Sequence, residues 1–339
     1  MKKAHYILDK QRLRHNLEKW TSIHPNIEVA YSLKANYSPL VLETIVNHLD
    51  YLEVCSQYEY NMAKQYVDAD HILVNGPSHS SEFLTQLTEE GAFIIVNNLS
   101  QYQELTKIVD TTTSIGLRLQ FEDFPSTRFG ISVDDLSEIT DKNLKVSMLH
   151  CHYCDNFRTS DSYKQRLVAL QSLDTFSDIQ SYNIGGGFYS QMPDQLKSQF
   201  STKIDQFENY YATLSSIDLD KKCFLEIGNA LVADTISYQC SVSHIEQKKN
   251  TQQITVNGSK WDIQPNGSNR YLPVATNSNT SELIETVVYG YTCMENDILF
   301  QGLLPKLCVG DELTFSNCGA YAQSLAPDFI QQKKELYAR

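Results

Sequence analysis

Two textures in one chain predict a (β/α)8 barrel followed by a β-rich C-terminal domain. From about residue 9 to 226, short β-branched or apolar runs alternate with longer stretches of helical period. After about Ala230 helical stripes become scarce and strict two-residue alternation takes over. Strand–helix alternation implies parallel pairing, and about eight parallel strands close most readily into a barrel, the open doubly wound sheet being the alternative. A barrel would occupy residues 8–229 and the β domain 230–339, with the first few residues free to join the latter. In a barrel the chemistry sits where strands end, at the C-terminal rim.

The elements follow in order. A helix over 9–24 carries Leu13, Leu17 and Trp20 on one stripe. The run Ile27-Glu28-Val29-Ala30-Tyr31-Ser32-Leu33 reads as a strand ending on Lys34, ahead of Asn36 and Pro39, and delivers an amine to the rim. Ser38-Pro39 opens the next helix as a polar cap followed by proline. Further strands are predicted at Tyr51–Val54, Ile72–Val74, Phe93–Val96, 114–119, 145–150, 181–184 and 223–226, with helices at 100–109 and 160–177 among them. Over 235–242, Ile236, Tyr238, Cys240 and Val242 share one face, the period of a half-buried strand. Asn257-Gly258, between Ile254-Thr255-Val256 and Lys260-Trp261-Asp262-Ile263, predicts a tight antiparallel hairpin.

The 339 residues, 41% of them hydrophobic, suffice for one large core and a second domain. A formal charge of -13 argues against nucleic acid or an anionic membrane as partner. No run of about 18 apolar residues predicts a membrane span. Met1-Lys2-Lys3-Ala4-His5-Tyr6 has two positive charges with no apolar stretch behind them, unlike a secretory signal. Eight cysteines spread over this length suggest a reducing, cytoplasmic setting and not a disulfide framework.

Several residues could carry chemistry. A lone strand-end lysine usually forms a salt bridge, but burial would destabilise the Lys34 ammonium and free its amine as nucleophile or Schiff-base former. Gly185-Gly186-Gly187 follows a strand, where glycines let backbone amides approach a phosphate; a plain turn is the alternative. Glu226 ends the next strand and is either a solvated or paired carboxylate or the holder of a proton on a ring nitrogen. In His150-Cys151-His152-Tyr153-Cys154-Asp155, alternation puts His150, His152 and Cys154 on one side. No second Cys/His pair stands at ligand spacing, so no metal is expected. Tyr291-Thr292-Cys293-Met294-Glu295-Asn296-Asp297 places a thiol and two acids between strands, and Gly319-Ala320-Tyr321 offers a phenol.

Taken in order, these residues resemble the fold type III, alanine-racemase-like decarboxylases that use pyridoxal 5'-phosphate. That family includes ornithine, diaminopimelate, arginine and carboxynorspermidine decarboxylases. The resemblance runs from about Tyr6 to Phe329. Tyr31-Ser32-Leu33-Lys34-Ala35-Asn36 is similar to the strand carrying the family's Schiff-base lysine, and Glu53 and Ser56 to its next rim positions. Arg118 with Arg128-Phe129-Gly130 is similar to its R…(K/R)FG stretch, and His152 falls where an imidazole stacks on the pyridine ring. Gly185, Gly186 and Gly187 resemble the phosphate loop, Glu226 the pyridine-nitrogen partner and Gly228 the glycine of an E-P-G-R motif. Cys293 and Asp297 resemble its C-x-x-x-D motif, and Tyr321 its G-A-Y phosphate contact.

There are departures. Asp155 stands where the family has a small serine, Asn229 where it has arginine, and Met294 where an acid commonly holds a distal substrate amine. The resemblance implies pyridoxal 5'-phosphate as cofactor and a cytoplasmic homodimer with shared active sites. It implies Lys34 and Cys293 as catalytic groups, Cys293 coming from the other subunit and returning a proton to the α-carbon. Met294, Glu295 and Asp297 would face the substrate. That substrate is expected to be an amino acid or conjugate: a diamino acid, a carboxynorspermidine-like polyamine precursor or a siderophore precursor. An amino-acid racemase on the same fold and a non-catalytic, decarboxylase-like regulator are the alternatives; a carboxylate at Glu226 favours decarboxylation.

Overall fold

Short apolar runs supply the wall of a closed parallel barrel. The computed structural model describes residues 2–153, 159–173, 176–268, 270–330 and 332–339. In chain order its first strands are β1 (His5–Leu8), β2 (Ile27–Ser32), β3 (Tyr51–Val54), β4 (Ile72–Val74), β5 (Phe93–Val96), β6 (Thr113–Gln120), β7 (Ile131–Ser132), β8 (Leu144–Cys151), β9 (Ser181–Asn183) and β10 (Lys222–Ile227). Parallel pairing runs β2-β3-β4-β5-β6-β8-β9-β10 and returns from β10 to β2, so eight strands close on themselves; β7 only lengthens the edge of β6. Ala30, Leu73, Ile95, Met148 and Phe224 form a small core of their own inside the barrel. A larger core packs the strands against the helices and continues into the second layer. No helix is long and apolar enough to cross a membrane.

The second sheet is mostly antiparallel. Its strands are β11 (Ile236–Lys248), β12 (Thr251–Val256), β13 (Val274–Thr276), β14 (Leu283–Tyr289), β15 (Ile298–Pro305), β16 (Glu312–Phe315) and β17 (Leu336–Ala338), in the order β13-β16-β11-β12-β14-β15. β1 pairs with β11, Tyr6 opposite Tyr238, and with β17.

Three expectations are corrected. β2 ends at Ser32, and Lys34 sits in a one-turn 3-10 helix, Leu33–Ala35, that bends the chain across the barrel mouth. The helix expected over 160–177 spans Ser160–Gln171. Asn257-Gly258 does not close a hairpin. Lys260–Ile263 is a short helix, because Ser259 and Asp262 cap each other's backbone in a capping box. The tight hairpin lies one connection earlier, between β11 and β12, where Lys248 faces Thr251 and Lys249 takes φ 49°.

Candidate active site

Each barrel strand from β2 to β10 brings a polar residue to the same rim. Lys34 Nζ donates to Glu53 Oε2 at 2.5 Å and to Cys55 Sγ at 3.3 Å, and Cys55 Sγ donates to Glu53 Oε1 at 3.0 Å. The Lys34 side chain keeps 40% of its surface exposed in the mouth, whereas Glu53 is buried. Burial pulls the Lys34 pKa down, but Glu53, Cys55, Glu226 and Tyr321 outweigh it and hold it well above the usual lysine value. Desolvation therefore does not free the amine in this state, contrary to the sequence expectation, because a buried carboxylate stands next to it. Ser56 acts on the backbone, its side chain capping the helix Gln57–Ala63.

Glu226 is the floor of the site. Asn75 and Asn183 each donate a side-chain N–H to its Oε1, at 2.9 and 3.0 Å. His150 Nε2 and His152 Nδ1 lie 3.8 and 3.7 Å from its two oxygens, and the three ligand-type atoms fall within 4.8 Å of one another. Alternation thus places His150 and His152 on one side as expected; Cys154 and Asp155 lie outside the described residues. Burial pushes His150 down to about 3 and His152 to about 4, so both rings are neutral at pH 7. Burial alone would raise the Glu226 pKa, but the protonated forms of His150 and His152 and the Lys34 ammonium outweigh it and lower it, so Glu226 stays ionised even as the rings take up protons at low pH.

A relay of amides ties this carboxylate to a cation across the rim. Arg118 Nη1 donates to Asn97 Oδ1 at 3.3 Å, Asn97 Nδ2 to Asn75 Oδ1 at 2.9 Å, and Asn75 on to Glu226. Every dipole in the chain points the same way, so each bond polarises the next. Arg118 also donates to the His152 carbonyl at 2.9 Å and lies over the Phe129 ring. Sequence reasoning missed Asn75, Asn97 and Asn183. A signal existed, since Asn75 and Asn97 stand one residue past the apolar runs of β4 and β5.

The glycine loop follows β9. A Cβ at Gly186 would lie 2.3 Å from the Glu226 carbonyl oxygen, and one at Gly185 would lie 2.6 Å from the His152 ring. These glycines are needed because the loop packs directly on the site's own residues, while Gly187, at φ 100°, meets only the Tyr163 hydroxyl at 3.4 Å. Gly228 packs against the lysine turn, where a Cβ would come 2.8 Å from the Ala35 Cβ. Tyr321 N–H donates to the Ala35 carbonyl at 2.7 Å and Asn36 Nδ2 to the Gly319 carbonyl at 2.9 Å. The structure thus brings Lys34, Glu53, Arg118, His152, Gly185, Gly186, Gly187, Glu226, Gly228 and Tyr321 together. A cavity of about 160 Å³ adjoins Tyr321, Asn229 and Ser190.

Comparison with known proteins decides the family. Residues 10–233 match the family described as "Pyridoxal-dependent decarboxylase, pyridoxal binding domain". The chain belongs to the pyridoxal-dependent decarboxylases. It is 26% identical to the 2-[(L-alanin-3-ylcarbamoyl)methyl]-2-hydroxybutanedioate decarboxylase of Staphylococcus aureus, over 96% of this chain and 91% of that one. It is 20% identical to a probable ornithine decarboxylase of Dictyostelium discoideum, over 96% of this chain and 77% of that protein. In three dimensions it is similar to the arginine decarboxylase of Paramecium bursaria Chlorella virus, with TM-score 0.84, 16% identity and coverage of 100% and 96% of the two chains. That last likeness bears on the fold, a TIM-type barrel with a β domain.

The decarboxylase's cofactor, pyridoxal 5'-phosphate, fits the site. The loop runs so close to Glu226 that a side chain at Gly186 would not fit, the mouth holds one amine beside one buried carboxylate, and a second carboxylate is kept ionised beneath it. The other expected residues lie elsewhere. Cys293, Met294 and Glu295 are exposed on the loop joining β14 and β15, and no hydrogen bond or ion pair joins them to the barrel rim among the described residues. Asp297 is buried and accepts from Ser259 Oγ at 3.0 Å, Lys260 N at 2.7 Å and Thr292 Oγ1 at 2.6 Å. These donors surround its oxygens and anchor the cysteine loop within its own chain.

Proposed function

We propose that this decarboxylase acts on an amino acid conjugated to a larger, acidic group, as a homodimer in which each subunit lends Cys293 to the other's barrel. The observation that carries the substrate class is Met294: a 40% exposed apolar side chain follows Cys293, and no acid stands there to hold a distal amine. Glu295, exposed beside it on the same loop, is the next candidate acid. The similarity to the S. aureus enzyme supports the same reading, since that protein's substrate carries an L-alanine unit joined through an amide to a hydroxybutanedioate.

When bound, pyridoxal 5'-phosphate supplies the electron sink that decarboxylation of an amino acid needs. Lys34 would hold it through its Nζ, with Glu53 fixing the position and protonation of that amine. Glu226, ionised and oriented by Asn75 and Asn183, would hold a proton on a ring nitrogen, which favours decarboxylation over racemisation. Gly187, Gly228 and Tyr321 would line the phosphate end. Cys293 Sγ, exposed and tethered by the Asp297 anchor, would deliver a proton to the α-carbon across the subunit interface.

A substrate panel tests this, with carbon dioxide release as the readout. Amides of L-2,3-diaminopropionate with hydroxylated di- and tricarboxylic acids should turn over; ornithine, lysine and diaminopimelate should react at least about 100-fold more slowly. Turnover confined to the free diamino acids would overturn the reading.

A further inference from the structure

The helix Ser160–Gln171, which follows β8, carries a charge that sequence reasoning passed over. Arg166 is 2% exposed. A buried guanidinium is ordinarily matched by a carboxylate, and Arg166 has none among the described residues. Its Nη1 donates to the carbonyls of Ile184 at 2.9 Å and Gly186 at 3.4 Å, and its Nη2 to that of Tyr153 at 3.0 Å. The group lies 4.4 and 4.6 Å from the ring centres of Tyr153 and Tyr163, and its Nε has no acceptor among the described residues. Carbonyl dipoles and ring faces solvate the cation in part, and no carboxylate among the described residues compensates its unit charge.

Two of those three carbonyls belong to the glycine loop. In a trans peptide the C=O and the following N–H point opposite ways, and no peptide bond among the described residues is cis. Holding the Ile184 and Gly186 carbonyls toward Arg166 therefore turns the Gly185 and Gly187 amides away from it. The Gly185 N–H is taken by Asn183 Oδ1 at 2.8 Å, whereas that of Gly187 has no acceptor among the described residues. Across the loop, Asn229 is a neutral amide whose Oδ1 accepts from the Ser190 N–H at 3.1 Å.

We infer that Arg166 is the cationic positioning residue of the phosphate cradle: from behind the loop it aims the Gly187 amide at the cofactor's phosphate and supplies the positive charge that Asn229 lacks. This rests on reading the glycine loop as that cradle. The phosphate in turn compensates the buried guanidinium, so each makes the other's burial tolerable.

The test is binding of pyridoxal 5'-phosphate and of pyridoxal, which lacks the phosphate, to the apo dimer, followed by absorbance. The ratio of the two dissociation constants reports the phosphate alone. The wild-type protein should strongly prefer the phosphate ester; equal affinities would sink the cradle reading itself. In Arg166→Met the ratio should fall about ten-fold. Arg166→Gln, which keeps an amide donor for the loop while removing the charge, should show a smaller fall of the same sign and guards against a misfolded first variant. Adding Asn229→Arg to either should restore the ratio. A purely structural Arg166 would weaken both ligands equally and leave the ratio unchanged, which overturns the inference. So would a fall caused by Arg270→Met instead, since Arg270 lines the cavity beside Tyr321.

Discussion

At the scale of single residues the site is a set of charges held against their ordinary preferences. Lys34 and Glu53 are mutually dependent, so Lys34→Ala removes both the amine and the cation that neutralises a buried carboxylate. Borohydride reduction followed by peptide mass analysis should place the cofactor's mass on the wild-type peptide containing Lys34. In Lys34→Ala no peptide should carry it; a labelled variant would move the attachment elsewhere. His150 gives a pH prediction with a definite sign. Its pKa falls from 6.5 to about 3 on folding because burial disfavours the imidazolium. The unfolded chain therefore takes up the proton first: stability is whole above pH 6.5 and erodes as pH falls toward about 3. Between pH 7 and 5, chemical denaturation should show wild type losing about 1–2 kcal/mol more than His150→Gln. Equal losses would mean that the ring is not buried neutral.

At the scale of elements, close approach of backbone segments sets the position of the reactive amine. Gly228 lies at the end of β10 and touches the Leu33–Ala35 turn, so Gly228→Ala drives a methyl group into Ala35. It should cost about 1–3 kcal/mol of stability and displace Lys34, weakening cofactor retention far more than a surface change of equal cost. Retention at wild-type strength would show that the turn has room to shift. The same contacts explain what was legible beforehand. Ile72–Val74 and Phe93–Val96 stand out as uninterrupted apolar runs because barrel strands are buried on both faces. Lys34 was readable as a rim amine, but not its 3-10 turn or its partnership with Cys55, because no local pattern records what a neighbouring strand places beside it. Lys260-Trp261-Asp262-Ile263 misled as a strand because its alternation is four residues long, too short to outweigh a Ser259–Asp262 cap. Arg166 was hidden for a simpler reason: on a helix of mixed polarity an arginine reads as surface until the tertiary fold covers it.

At the scale of the whole molecule, the thiol and the amine sit in different layers of one chain. In the proposed homodimer, pairing two copies would give each barrel mouth a Cys293 loop, with the closed symmetry usual for oligomers. Complementation tests this directly. Lys34→Ala and Cys293→Ala homodimers should each be nearly inactive, and mixing them with subunit exchange should restore about a quarter of wild-type activity through one intact site per heterodimer. No recovery despite proven exchange would place both groups in the same subunit.

The contact between Asn36 and Gly319 joins positions 283 residues apart. At synthesis rates of about 5–20 residues per second, roughly 15 s to a minute separates the emergence of these two strips from the ribosome. Over that interval the nascent barrel presents its reactive lysine without the tyrosine turn that will later fasten it. With Lys34 as the proposed attachment point, loading with vitamin-derived cofactor would become a late step in the protein's life history. Sensitivity of yield to cofactor supply would be set during maturation, after translation of the barrel is complete.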